Sequence, residues 1–135
     1  PLRKQDRTRL IDCLLKTALR SGFVIVGGIV MKLESINNYE DFKAVVKGED
    51  EIVLACFTAE WCSPCQSMKE ELDVLHDELQ GVARMIAIDI DVAKEIALKE
   101  DVQGVPTIIC YKKGKEKDRV GGYKKAASVR KLLKL

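Results

Sequence analysis

A continuous apolar run, Ile52-Val53-Leu54-Ala55-Cys56-Phe57, leads within a few residues into Trp61-Cys62-Ser63-Pro64-Cys65, and this junction constrains the chain more than any other feature. Six apolar residues without alternation suit a parallel strand buried on both faces. Beyond the junction, Cys65, Met68, Leu72, Leu75 and Leu79 recur at intervals of three and four, while Lys69, Glu70, Asp73, Asp77 and Glu78 take other positions. That spacing predicts an amphipathic helix ending near Gly81. Cys62 and Cys65 thus stand where a strand gives way to a helix, close enough to close into a disulfide and reopen without the rest of the chain moving. They form a candidate redox centre.

The 135 residues suit one domain, long enough to bury roughly two thirds of its unfolded surface without structural disulfides. Hydrophobic residues make up 47% and charged residues 33%, with no apolar run near the roughly 18 residues of a membrane span, so membrane association is not expected. The cysteines, Cys13, Cys56, Cys62, Cys65 and Cys110, are odd in number, and one pair has motif spacing. This speaks against a secreted disulfide scaffold and for a reducing compartment. The net charge of +2 conceals an asymmetry: residues 1–30 carry Arg3, Lys4, Arg7, Arg9, Lys16 and Arg20 against Asp6 and Asp12, which leaves residues 31–135 at −2. A body so nearly neutral gives no electrostatic case for binding nucleic acid.

The remaining elements follow from pattern. A helix is expected over about residues 38–47, capped by Asn37 or Asn38, with Tyr39, Phe42, Val45 and Val46 on one side and Gly48 as its stop. A strand is expected over about Arg84–Ile90, a helix over Val92–Lys99 and a strand from Thr107 to Tyr111. Lys113-Gly114 reads as a hairpin turn into Glu116–Val120, and residues 125–135 as a closing helix. The order is βαβαβαββα, parallel crossovers first and an antiparallel hairpin last. The domain boundary is placed near Met31, giving an N-terminal extension of residues 1–30 and a domain of residues 31–135.

Four marks in this order resemble the thioredoxin family: Ala59-Glu60-Trp61-Cys62-Ser63-Pro64-Cys65 at the strand-to-helix junction, Gly104-Val105-Pro106-Thr107 opening a late strand, Lys113-Gly114 in the hairpin, and Val120-Gly121-Gly122 before the last helix. The resemblance covers about three quarters of the chain. It implies a thioredoxin-like α/β fold, a central mixed sheet flanked by helices in three α/β/α layers. It also implies a protein-disulfide reductase serving electron transport and cell redox homeostasis, without a cofactor and as a monomer or weak dimer. Its partners would be disulfide-containing proteins and a thioredoxin reductase or similar electron donor, and its location the cytoplasm. By the same resemblance the Val105–Pro106 bond is cis and faces the cysteines, so that the Val105 backbone pairs with an extended substrate in a shallow groove bordered by Trp61, Val105 and Gly121. The alternative is an ordinary trans proline at a strand start.

The position of the two sulfurs gives them unequal roles. Cys62 lies at the helix N-terminus, where unpaired N–H groups and the dipole lower a thiol's pKa, and it is the expected exposed nucleophile. Cys65, one turn on and aligned with the apolar stripe, is the shielded resolver. Pro64 fits because the first turn can spare its N–H. Ser63 stands where glycine is more usual. Its hydroxyl either bonds the Cys62 thiolate, which at about 1 kcal/mol raises the potential by about 20 mV, or faces water and changes nothing. The competing reading of the pair is half a structural zinc site, but the chain has no second C-x-x-C, and His76, its one histidine, lies far along the helix.

Two further positions depart from the family pattern. The buried aspartate and its lysine partner on the neighbouring strand, which help move the proton of the resolving cysteine, are replaced by Cys56 and Ala87. Losing both together avoids an unpaired buried charge. Resolution then relies on water, on Glu60, or on nothing specific. Cys56 and Cys110 otherwise read as small buried hydrophobes. Residues 1–30, with Cys13 on an amphipathic stretch, admit three readings: a basic signal or anchor, an added element packed on the domain or a second chain, or vector-derived or upstream sequence ahead of Met31. Two other functions compete with the reductase: a partner-binding module that does not turn over, and a disulfide oxidase or isomerase. A potential near about −270 mV marks a reductase, and one above about −180 mV an oxidant.

Overall fold

The computed structural model of the chain describes residues 33–133, so the readings of residues 1–30, Cys13 and the Met31 boundary lie outside the described residues. Nine elements follow in the expected order: β1 (Glu34–Ser35), α1 (Tyr39–Val46), β2 (Ile52–Thr58), α2 (Ser63–Glu78), β3 (Arg84–Asp89), α3 (Lys94–Lys99), β4 (Thr107–Lys112), β5 (Lys115–Gly121) and α4 (Ala126–Arg130), with a closing 3-10 turn over Lys131–Leu133. The sheet order is β1-β3-β2-β4-β5. β3 runs parallel to β1 and β2, and β4 antiparallel to both β2 and β5.

β2 lies at the centre, and its alternation divides the core. Ile52, Leu54 and Cys56 face one side, where Met68, Leu72 and Leu75 of α2 and Val129 of α4 cover them. Val53, Ala55 and Phe57 face the other, against Phe42, Val45 and Val46 of α1 and Ile96 of α3. The apolar run thus has its physical reason, since every side chain from Ile52 to Phe57 is buried. The arrangement is the expected three-layer α/β/α.

Local chemistry sets the ends of the elements. The Asn38 side chain accepts the Asp41 N–H at 2.9 Å and caps α1, and a Cβ on Gly48 would stand 2.8 Å from the Ala44 carbonyl oxygen. The hairpin turn has Lys113 at φ 51 and Gly114 at φ 81, the positive angles that a two-residue turn requires. Two helices are shorter than their periodicity suggests. α3 begins at Lys94 because Asp89 turns the chain first: its side chain accepts the Asp91 N–H and its carbonyl the Ala93 N–H. α4 starts at Ala126, where Glu71 of α2 accepts the N–H at 2.8 Å, and the chain tightens into 3-10 form where the Lys112 ammonium takes the Leu133 carbonyl at 2.6 Å.

Burial of Cys56 has a measurable consequence. Loss of hydration pushes its thiol from 9.0 up to about 12. The unfolded chain therefore releases this proton above pH 9.0 while the folded chain keeps it until about pH 12. The thiol's contribution to stability is complete below 9.0 and declines by up to about 1.4 kcal/mol per pH unit above it. Cys56→Ala is expected to flatten the alkaline limb of the denaturant-measured stability curve relative to the parent. Parallel curves through that range would show that the thiol is not held protonated by the fold.

Candidate active site

The C-terminal end of β2 delivers the chain into the motif, and the first turn of α2 receives it. Cys62 is the N-cap of α2, and its sulfur accepts the Cys65 backbone N–H at 3.2 Å, filling one of the unpaired donors that every helix start leaves. Pro64 falls in the first turn, where its missing N–H is not needed. Cys62 and Cys65 are joined as a disulfide with Cα atoms 5.2 Å apart, inside the range such a bond requires.

The expectation of an exposed Cys62 beside a shielded Cys65 needs correction. In this oxidised form Cys62 is 4% exposed and Cys65 2%, because each sulfur covers the other and both pack with Ala59, Ile90 and Val105. What separates the sulfurs is position. Cys62 is the capping atom at the positive end of the helix, whereas Cys65 lies above the core with Met68 and Leu72.

The other site residues gather around this pair. The Val105–Pro106 bond is cis. Val105 packs against the cysteines, and Pro106 shares the lining of a cavity with Cys65. The described residues offer no hydrogen bond to either backbone group of Val105. Gly121 pairs with Thr107, and the next residue, Gly122, donates its N–H to the Pro106 carbonyl at 2.8 Å. Trp61 stands 69% exposed at the rim. Ser63 and Pro64 are exposed on the first turn, and in this disulfide form the Ser63 hydroxyl makes no bond to the Cys62 sulfur. Glu60 is exposed and holds Gln66 through its backbone carbonyl rather than its carboxylate. His76 lies in the last turn of α2, far from the cysteines and near Gln80.

Behind the disulfide, β2 and β3 set Cys56 directly opposite Ala87. Both line a cavity of about 10 Å³ together with Cys65, Thr58, Lys69 and Pro106, room for about one water molecule. Held near 12, the Cys56 thiol cannot act as a base at neutral pH. Among the described residues no carboxylate lines this cavity.

One site residue lies beyond what the sequence patterns single out. The Trp61 indole N–H donates to the Asp91 carboxylate at 2.9 Å, fixing the exposed ring. Parallel pairing brings the C-terminal ends of β2 and β3 together, with Thr58 opposite Asp89, so residues just beyond each strand meet. An aspartate shortly past the end of the strand beside β2 is the signal that could have found it.

The Thioredoxin family profile matches residues 33–135, which contain the whole described sheet and the cysteine site. The chain belongs to the thioredoxin family. It is 32% identical over 105 residues to the mitochondrial thioredoxin-2 of Schizosaccharomyces pombe, covering 78% of this chain and 77% of the relative. It is 36% identical over 94 residues to the thioredoxin of Gallus gallus, covering 69% and 89%. Among solved structures, a mutant thioredoxin from Halobacterium salinarum superposes with a TM-score of 0.69 at 26% identity, over 75% of this chain and 87% of that one. Membership and the bonded cysteine pair make this thioredoxin-family chain a thiol–disulfide oxidoreductase, a protein-disulfide reductase. The cytoplasmic expectation is corrected by the first relative, which is a mitochondrial protein. Spare thiols speak of a reducing compartment, a property that does not single out the cytoplasm.

Two substitutions probe the site. Cys56→Asp is expected to speed decay of the Cys62 mixed disulfide at least about tenfold in single turnover, once the buried carboxylate is ionised to accept the Cys65 proton. It is also expected to cost about 1–3 kcal/mol of stability, since Ala87 offers no partner. An unchanged or slower decay would show that proton acceptance does not limit resolution. Ser63→Ala is expected to move the reduction potential by less than about 10 mV, measured against glutathione. A larger shift would reveal a hydroxyl bond to the sulfur in the reduced form.

Proposed function

We propose that this domain reduces extended protein segments by docking them along the Val105 backbone, with Cys62 as attacking sulfur and Cys65 as resolver. The Cys62 thiolate attacks one sulfur of the substrate disulfide, breaking that bond and releasing the first substrate thiolate. Cys65 then gives up its proton and attacks the Cys62 sulfur, forming the internal disulfide and releasing the second substrate thiolate. Two electrons have passed to the substrate, and a dithiol-reducing partner of the thioredoxin-reductase kind returns two to the chain. Electron transport of this sort, and the cell redox homeostasis it serves, follow from that cycle.

The observation that carries the docking reading is the backbone of Val105, which has no hydrogen-bond partner among the described residues and packs beside the sulfurs. A backbone N–H and carbonyl without partners at an open groove attract a strand, as in other cases of strand addition. Trp61, Ser63 and Pro64 border the groove on the motif side, Pro106 and Gly121 on the other. Exposed Val92, 64% accessible and next to Asp91, extends the apolar rim. Residues 31–135 suffice for this cycle in the proposed reading, with residues 1–30 as an extension to it. Among the described residues no helix is long and apolar enough to cross a membrane.

The reading is tested with a disulfide peptide and the same peptide N-methylated at the residue beside its attacked cysteine. Methylation is expected to raise KM about tenfold, equivalent to about 1.4 kcal/mol, with kcat little changed. Equal KM values would exclude backbone pairing.

A further inference from the structure

The register of β5 slips once along its length. Ile109 stands opposite Arg119 and Cys110 opposite Asp118, but Tyr111 stands opposite Glu116, so Lys117 is an extra residue. In an even strand, residues three apart point to opposite faces. The bulge resets the alternation, and Glu116 and Arg119 both fall on the face of Tyr111 and Ile109, the one covered by α1 and α3.

There the Arg119 guanidinium meets the Glu116 carboxylate with two bonds, Nε to Oε2 at 2.8 Å and Nη2 to Oε1 at 2.6 Å. It also donates to two backbone carbonyls, Nη2 to Glu100 at 3.0 Å and Nη1 to Asp101 at 3.1 Å. The forked geometry fixes the direction of the guanidinium as well as its place. Glu100 is the C-cap of α3, and Asp101, at φ 53, turns the chain out of it. The Tyr111 hydroxyl secures the same corner by donating to the Glu100 carboxylate at 2.7 Å.

From this corner the chain runs directly to Val105. At the far end of the segment the Thr107 hydroxyl donates to the Gly104 carbonyl at 2.6 Å, and the Gly122 N–H holds the Pro106 carbonyl. The segment carrying the Val105 backbone is therefore pinned at both ends, and on the α3 side Arg119 adds the grip from β5 to the Tyr111 bond and to the bond from the Val102 N–H to the Ala97 carbonyl. Holding a segment in its binding conformation lowers the ordering cost of docking.

We propose that Arg119, aimed by the Lys117 bulge and oriented by Glu116, is a positioning residue for substrate: it holds the 100–106 segment so that the Val105 backbone is presented ready to pair. The inference rests on the docking reading above. It concerns a residue that touches neither sulfur.

Arg119→Gln, with the plain and N-methylated peptides and a small aromatic disulfide, supplies the test. KM for the plain peptide is expected to rise about 3- to 10-fold, and the discrimination against the N-methylated peptide to shrink toward one. The rate constant with the small disulfide and the reduction potential are expected to stay at parental values. Arg119→Lys, which keeps the charge and some donors, is expected to recover part of the loss. The clamp is overturned if Arg119→Gln keeps the parental KM while the parent still discriminates against N-methylation. It is equally overturned if reactivity toward peptide and small disulfide falls by the same factor, the mark of general structural damage. A parent that does not discriminate refutes the docking reading itself.

Discussion

The 3.2 Å hydrogen bond from the Cys65 backbone N–H to the Cys62 sulfur ties the reactive centre to the scaffold. Its acceptor is the N-cap of α2 and its donor lies in the first turn of the same helix, so the bond sits where the chain leaving β2 enters its covering helix. The buried run from Ile52 to Phe57 anchors the strand that leads into this turn, since its side chains pack on both faces of the sheet. A sulfur at this point meets backbone donors and the positive end of a helix, the environment that favours a thiolate over a thiol. Core packing and sulfur chemistry are thereby one problem for this sequence.

What can be read in the sequence follows from what periodicity reports. Strand and helix order, the two faces of β2, the cap at Asn38 and the hairpin at Lys113-Gly114 are local patterns, and they reappear within a residue or two. The cysteine pair is legible from its spacing at a strand-to-helix junction, whereas the segment at Val105–Pro106 and the replacement of the buried pair by Cys56 and Ala87 come through family likeness, and the strand register sets the last two opposite one another. Periodicity misplaces the start of α3 because an aspartate turn competes with the apolar period. The bond from Trp61 to Asp91 spans thirty residues, and the grip of Arg119 on Glu100 depends on a register slip that no periodicity encodes. Exposure of Cys62 fails as an expectation because closure of the disulfide lets each sulfur cover its partner.

The cavity behind the disulfide shows how far a family scaffold can change at its core. A carboxylate and an ammonium buried together need each other, and removing one strands the other. Here a thiol and a methyl group occupy the two positions, and the fold keeps an unbroken apolar layer between α2 and the sheet. The cavity that remains is about the size of one water molecule. Among the described residues Cys65 thus shares this cavity with no carboxylate, and Lys69 is the charged side chain in its lining.

The charged outer strand has a meaning for solubility as well as for docking. β5 is an edge, and an edge displays backbone groups that invite other strands, the first step toward aggregation. Lys115, Glu116, Lys117, Asp118 and Arg119 run along it without an apolar break, and the bulge kinks the ladder in their midst. The opposite edge, β1, is two residues long. In the proposed reading, a protein that captures extended chains must not capture them indiscriminately: this sheet carries charge along its long flank, while beside the sulfurs the Val105 backbone has no partner among the described residues.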